Sequence, residues 1–179
     1  MKAQKRILTC LTLVVVLLAS AIPSQTTSAR SDFPLNYHPE VSAYDLILAM
    51  NTLRMSFGLP ALIEDPIVDA VAQSTAQIMA DQQLSWHIGN VGGRLSAAGY
   101  GGGGTVYATE NFAIGYGATV DEIMVMWSDE SHLLPAVKPY YCNVGAGTAT
   151  AADGSTYYIL QAAYVSGQEC GSYTSPGGP

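Results

Sequence analysis

The chain is short of positive charge: its 179 residues carry seven Lys and Arg against fourteen Asp and Glu, and only 12% are charged at all. Nucleic-acid binding rests on clustered Lys and Arg against phosphates, so no nucleic acid is expected as a partner. Several catalytic signatures are also missing. The sequence has no His-Glu-x-x-His, no Gly-x-Ser-x-Gly and no Cys-x-x-Cys, which removes the motifs of zinc proteases, serine hydrolases and paired-thiol sites. The glycine-rich run GYGGGG at 99–104 is followed by neither a lysine nor a helix start. It lacks the parts of a phosphate cradle and reads as a surface loop. No internal repeat is visible.

The first residues carry an address. Lys2, Lys5 and Arg6 precede an apolar run over residues 7–22, Pro23 ends it, and the small-residue stretch SQTTSA runs up to Ala29. That run falls short of the roughly 20 residues of a membrane-spanning helix. Residues 1–29 therefore read as a signal peptide and the protein as secreted, without stable membrane insertion. Cleavage would remove Cys10 and leave four basic residues against fourteen acidic ones, a formal charge of −10. The roughly 150 remaining residues suffice for one domain with a core. Cys142 and Cys170 are then the two remaining cysteines, and in an oxidising compartment they are expected to pair. The loop they close implies about 3–4 kcal/mol in the chain-entropy account. Thiolate metal ligation is the weaker alternative.

Residues 30–40 carry two prolines and little periodicity and read as an extended lead-in. A helix follows, with Ser42 and Asp45 as a capping box, Tyr44, Ile47, Leu48 and Met55 as its apolar stripe, and Gly58 as its stop. Asp65 before Pro66 opens a second helix through about Gln82, with Val68, Val71, Ala72, Thr75, Ile78 and Met79 as its buried face. Residues 83–109 read as loop. Thr119 and Glu122 cap a third helix carrying Ile123, Met126 and Trp127. Two late strands, NVGAGTAT and TYYILQAAYV, flank the hairpin signal Asp153-Gly154. Helices first and strands last give an α+β fold.

Glu110 stands out, because it opens the run TENFAIGY, which otherwise reads as a buried strand. Of the three histidines, His38 lies in the lead-in, His87 follows the second helix and His132 follows the third. Each alone is more often a hydrogen-bonded structural residue than a ligand. Ser131 beside His132 is a weak nucleophile candidate, since adjacent residues rarely align for proton transfer. Asn51 and Arg54 are expected to tie the end of the first helix to the following loop. Tyr140, Tyr141, Tyr157, Tyr158 and Tyr164 suit strand faces and rims, or the lining of a lipid or glycan groove.

The ordered set NTLR at 51–54, GLPAL at 58–62, His87, ENFAIG at 110–115, WSDE at 127–130 with His132, and VGAG at 144–147 resembles the CAP superfamily. This is the SCP domain of cysteine-rich secretory, antigen 5 and pathogenesis-related 1 proteins, and the likeness is greatest to its bacterial branch. The resemblance covers residues 44–165 and implies a CAP domain over 41–170, with 171–179 as a linker-like tail. It implies an α-β-α sandwich with a central antiparallel sheet, secretion, and a cavity lined by His87, Glu110, Glu130 and His132. Thr109 stands where the family carries glycine, and WSDESH is one residue shorter than the usual segment and lacks its Pro-Gly. Residues two apart do not share a helix face, so Glu130 and His132 both reach one cavity only from extended or irregular backbone. His87, His132 and Glu110 form a donor set suited to zinc or another divalent metal. The plainer alternative is that these side chains only bond one another. The reading favoured is a binding module rather than an enzyme, for an extracellular lipid, glycan or peptide. The alternatives are a metal- or acid/base-dependent hydrolase of peptide or wall polymer, and an adhesion domain with a vestigial cavity.

Overall fold

The computed structural model describes residues 40–172. The signal peptide read over 1–29, nearly all of the lead-in with His38, and the tail from residue 173 lie outside the described residues. Within them the elements run α1 (Ala43–Ser56), β1 (Ile63–Glu64), α2 (Pro66–Gln82), α3 (Val91–Ala97), β2 (Val106–Gly115), α4 (Val120–Met126), α5 (Leu134–Val137), β3 (Asn143–Thr150) and β4 (Thr156–Val165).

Local chemistry sets the ends of these elements where the sequence predicts. The Ser42–Asp45 and Thr119–Glu122 capping boxes are both formed. The Asp65 carboxylate accepts from the Ile67 and Val68 amides ahead of Pro66, and Gly58 turns the chain at φ +76°. The faces are less well predicted. On α1 the buried residues are Leu46, Ile47, Met50 and Arg54, while Tyr44, Leu48 and Met55 are exposed. On α2 the buried face runs Val68, Ala72, Thr75, Ala76, Met79 and Ala80, and Ile78 points outward. Residues 83–109 are not all loop, since α3 lies among them. Its glycines, Gly92 and Gly93, hid it.

The sheet order is β1-β3-β4-β2. The three long strands are antiparallel, and the two-residue β1 adds a parallel pair, Ile63 with Asn143 and Glu64 with Val144. The sheet is therefore mixed rather than wholly antiparallel. Alternation along β4 divides the core. Tyr158, Leu160 and Ala162 face a cluster with Leu46, Met50, Ile123 and Trp127 from the α1 and α4 side. Tyr157, Ile159, Ala163 and Val165 face α2 and α3. This is the α-β-α sandwich. The Cys142–Cys170 disulfide is formed, with the Cα atoms 4.9 Å apart. It fastens the chain after β4 to the start of β3.

At Gly145 and Gly147, α2 and β3 meet with no side chain from the strand between them. A Cβ on Gly145 would lie 2.3 Å from the Asp69 nitrogen, and one on Gly147 would lie 2.4 Å from the Gln73 Cα. The helix also finishes the margin of the sheet where β1 stops. The Asp69 carboxylate accepts from the Ala146 amide at 3.0 Å. The Gln73 side chain accepts from the Thr148 amide at 3.1 Å and donates to its carbonyl at 2.9 Å.

Burial raises the Asp69 carboxyl to about 6, against the pull of the Ala146 hydrogen bond, and Glu64 and Asp65 beside it push the same way. Because the folded value lies above the usual carboxylate value, the stability linked to this group is complete below about pH 4 and is lost as pH rises through about 6. Asp69→Asn keeps an acceptor for Ala146 and cannot ionise. It is expected to raise stability at pH 7.5 by about 1 kcal/mol, after discounting for partial exposure, and to give no such gain at pH 4. Thermal melts at both pH values measure this, and an equal gain at the two would contradict it.

Candidate functional site

Glu110 sits on β2 opposite Gln161 of β4, with its side chain directed to the α2 and α3 layer and only 1% exposed. Three donors meet its carboxylate. His87 Nδ1 lies 2.9 Å from Oε1, Arg94 Nη2 donates to Oε2 at 2.8 Å, and Gln161 Nε2 donates to the same oxygen at 2.7 Å. Arg94 and Gln161 also converge on the Thr75 hydroxyl, which itself donates to the Val71 carbonyl at 2.7 Å. The buried carboxylate thus has a full-charge partner and neutral donors, the condition under which a charge persists away from water.

Each partner is placed by its own element. α2 ends at Gln83 in a left-handed conformation, and the chain after it turns back to bring His87 against the strand. There the imidazole meets the Phe112 ring edge to face, centroids 4.7 Å apart. Arg94 rides on α3, whose N-cap Asn90 accepts from Gly93 N at 3.1 Å and whose Leu95 is fully buried. A Cβ on Gly92 would meet the Val106 carbonyl oxygen at 3.0 Å, so glycine lets this short helix lie close on the start of β2. The Arg94 Nε bond to the Gly89 carbonyl, 3.1 Å, aims the guanidinium.

A carboxylate at Nδ1 keeps the imidazole proton on that nitrogen and leaves Nε2 as the accepting atom. The His87 side chain is 44% exposed. Of the cluster, His87 and to a lesser extent Arg94 are the groups that a ligand in solvent meets, while Glu110 is held behind them.

His132 and Glu130 lie elsewhere. Strand alternation directs Asn111 to the face opposite Glu110, and its amide donates to the His132 carbonyl at 2.8 Å. The His132 ring pairs with Asp129, whose Oδ1 also accepts from the Ser131 and His132 amides at 2.9 and 3.1 Å. These bonds hold the Asp129 carboxyl below its ordinary value. Glu130 is exposed on the same turn, and Ser131 is exposed beside it. The structure therefore brings His87 to Glu110 and does not add Glu130 or His132 to them. Among the described residues no three His, Cys, Asp or Glu side chains gather to hold a metal ion. As arranged, the donors do not suit a divalent cation: both Glu110 oxygens are engaged, and the nearest added charge is a guanidinium, which repels one.

Sequence reading missed Arg94, Gln161 and Thr75. One signal was available: a strand carboxylate turned inward needs a cation, and past residue 29 the chain holds only Arg30, Arg54, Arg94 and Lys138. Asn51 and Arg54 behave as expected. Asn51 exchanges two bonds with the Leu62 backbone, at 2.8 and 3.1 Å, and Arg54 reaches the Pro60 carbonyl at 2.7 Å.

The architecture is that of the CAP, or SCP, domain. Solved structures similar to this chain include an outer surface protein of Borrelia burgdorferi, 17% identical with a TM-score of 0.58, over 67% of this chain and 90% of that one. An extracellular SCP-domain protein of Bacillus anthracis is 21% identical with a TM-score of 0.56, over 68% and 40%. A cysteine-rich secretory protein of Staphylococcus aureus is 20% identical with a TM-score of 0.53, over 73% and 40%. The chain thus spans about two fifths of the last two. No protein-family model matches the sequence, and no curated protein matches it. Among the described residues no helix is long and apolar enough to cross a membrane.

Proposed function

We propose that the chain is a secreted CAP-fold binding module whose His87–Glu110 site meets a ligand without converting it. The observation that carries this reading is the engagement of Glu110. A hydrolase that used Glu110 as its general base would need that carboxylate free to take a proton, and its two oxygens instead accept from His87, Arg94 and Gln161. Export agrees with the leader read at residues 1–29, and the similar structures include proteins described as extracellular, outer-surface and secretory. For an apolar ligand, a cleft of about 550 Å³ runs between α1 and α4, lined by Leu48, Leu53, Val120 and Met124 among others.

Calorimetric titration with zinc at pH 7.5 is expected to give no saturable binding at one ion per chain. Incubation with peptide and wall-polymer substrates, with and without zinc, is expected to give no turnover above a His87→Ala control. One zinc per chain, lost in His87→Ala, would replace this reading with a metal site. Turnover that His87→Ala abolishes would replace it with a hydrolase.

A further inference from the structure

On the α1 face of the sheet, away from Glu110, four tyrosines gather into one surface. Tyr107 of β2 and its register partner Tyr164 of β4 lie with ring centroids 5.3 Å apart and planes 17° from parallel. Tyr140 packs against Tyr164 at 5.0 Å and Tyr141 at 4.9 Å, and Tyr141 meets Tyr164 edge to face at 5.8 Å. Tyr141 is buried, whereas Tyr107 is 51% exposed and Tyr140 46%. Tyr164 covers one side of the Tyr107 ring, so its exposed surface is the other. The patch consists of two outward rings, inclined to each other, supported by two inward ones.

Its support is rigid. Cys142, next to Tyr141, is crosslinked to Cys170, and its amide donates at 3.0 Å to the carbonyl of Ala163, the residue before Tyr164. Tyrosine offers a large flat contact area at low cost in rotamer entropy, with a hydroxyl at the rim, and preorganisation lowers the cost of binding further. We infer that Tyr107 and Tyr140 form a binding platform for a neutral pyranose oligosaccharide. The axial C–H faces of a pyranose carry slight positive charge and complement the negative face of an aromatic ring, while the sugar hydroxyls bond the phenols. The formal charge of −10 past residue 29 disfavours anionic polymers, and phenol rims suit a lipid tail less than a sugar. This platform is independent of the His87 site, so either assignment stands if the other falls.

The test is titration of the protein with cellohexaose and chitohexaose, followed by calorimetry and by the tyrosine ring signals in NMR, with oligogalacturonate as the anionic comparison. Saturable binding of at least one neutral hexasaccharide is expected, at millimolar affinity or better, and stronger than that of oligogalacturonate. Tyr107→Ala and Tyr140→Ala should each weaken it tenfold or more, while Tyr107→Phe keeps it within about threefold; because each ring is about half exposed and packs on a neighbouring tyrosine, thermal melts check that every variant is folded at the titration temperature. No saturable binding of either neutral sugar, binding indifferent to both alanine variants, or preference for the anionic sugar would overturn the inference.

Discussion

Arg54→Ala is expected to destabilise the protein by about 3–5 kcal/mol, the largest loss of any single substitution considered. Arg54 is 1% exposed, and its guanidinium bonds four backbone carbonyls: Pro60 at 2.7 Å, Pro135 at 2.7 Å, Lys138 at 2.8 Å and Tyr141 at 3.1 Å. These belong to the loop after α1, to α5 and to the approach to β3, so one side chain fastens three segments to the end of a helix. Burial pulls the guanidinium below its ordinary value, yet it stays charged throughout any working range. Truncation orphans all four acceptors, and no other donor on α1 reaches them. Arg54→Lys should recover only part of the loss, since an ammonium offers three donors from one point rather than a planar fork. Urea titrations read the effect as a fall in midpoint at constant slope. A loss under about 1 kcal/mol for alanine would mean that water replaces the guanidinium at these carbonyls.

Glu110→Ala is expected to cost about 2–4 kcal/mol, because it takes from the fully buried Gln161 amide the shorter of its two hydrogen bonds and removes the countercharge of Arg94. Glu110→Gln should cost less but not be neutral, since its amide must turn a donor toward one of three donors already present. His87→Ala should cost less, about 1 kcal/mol, since the imidazole is partly exposed and Glu110 keeps Arg94 and Gln161 as donors. A double-mutant cycle between Arg94→Ala and Glu110→Ala should show a coupling above about 1 kcal/mol. Coupling near zero would place the weight of the cluster on Gln161 and Thr75 instead.

The residues that made the fold legible act locally or in fixed order. Ser42, Asp45, Asp65, Thr119 and Glu122 announce helix starts because caps are short-range chemistry. The alternation and apolar runs of the last two strands announce the hairpin. What sequence could not give was facing. Tyr44, Leu48 and Met55 look like a stripe, but α1 turns Leu46, Met50 and Arg54 inward, because the loop and sheet it packs on outrank side-chain polarity. α3 was illegible because close packing on β2 at Gly92 and the Asn90 cap at Gly93 placed there the glycines that propensity reads as helix breakers. The site was half legible for a similar reason. His87 and Glu110 are visible as a pair through the order of motifs, whereas Arg94 arrives on that unseen helix. His132 is separated from Glu110 by the alternation of β2, a one-residue matter that motif spacing does not resolve.

The way α2 completes the margin of the sheet bears on how copies of this chain behave together. An outermost strand normally offers a row of unclaimed peptide groups on which a strand from another molecule can add, the first step of many aggregates. Along β3 that row is claimed in turn by the Ile63 amide at the Cys142 carbonyl, the Asp65 amide at the Val144 carbonyl, and the Asp69 and Gln73 side chains further on. Two polar side chains one helical turn apart imitate a neighbouring strand, and they do so from a helix that no incoming chain can extend. Strand-to-strand growth is thereby disfavoured along the Cys142–Thr148 stretch of that edge.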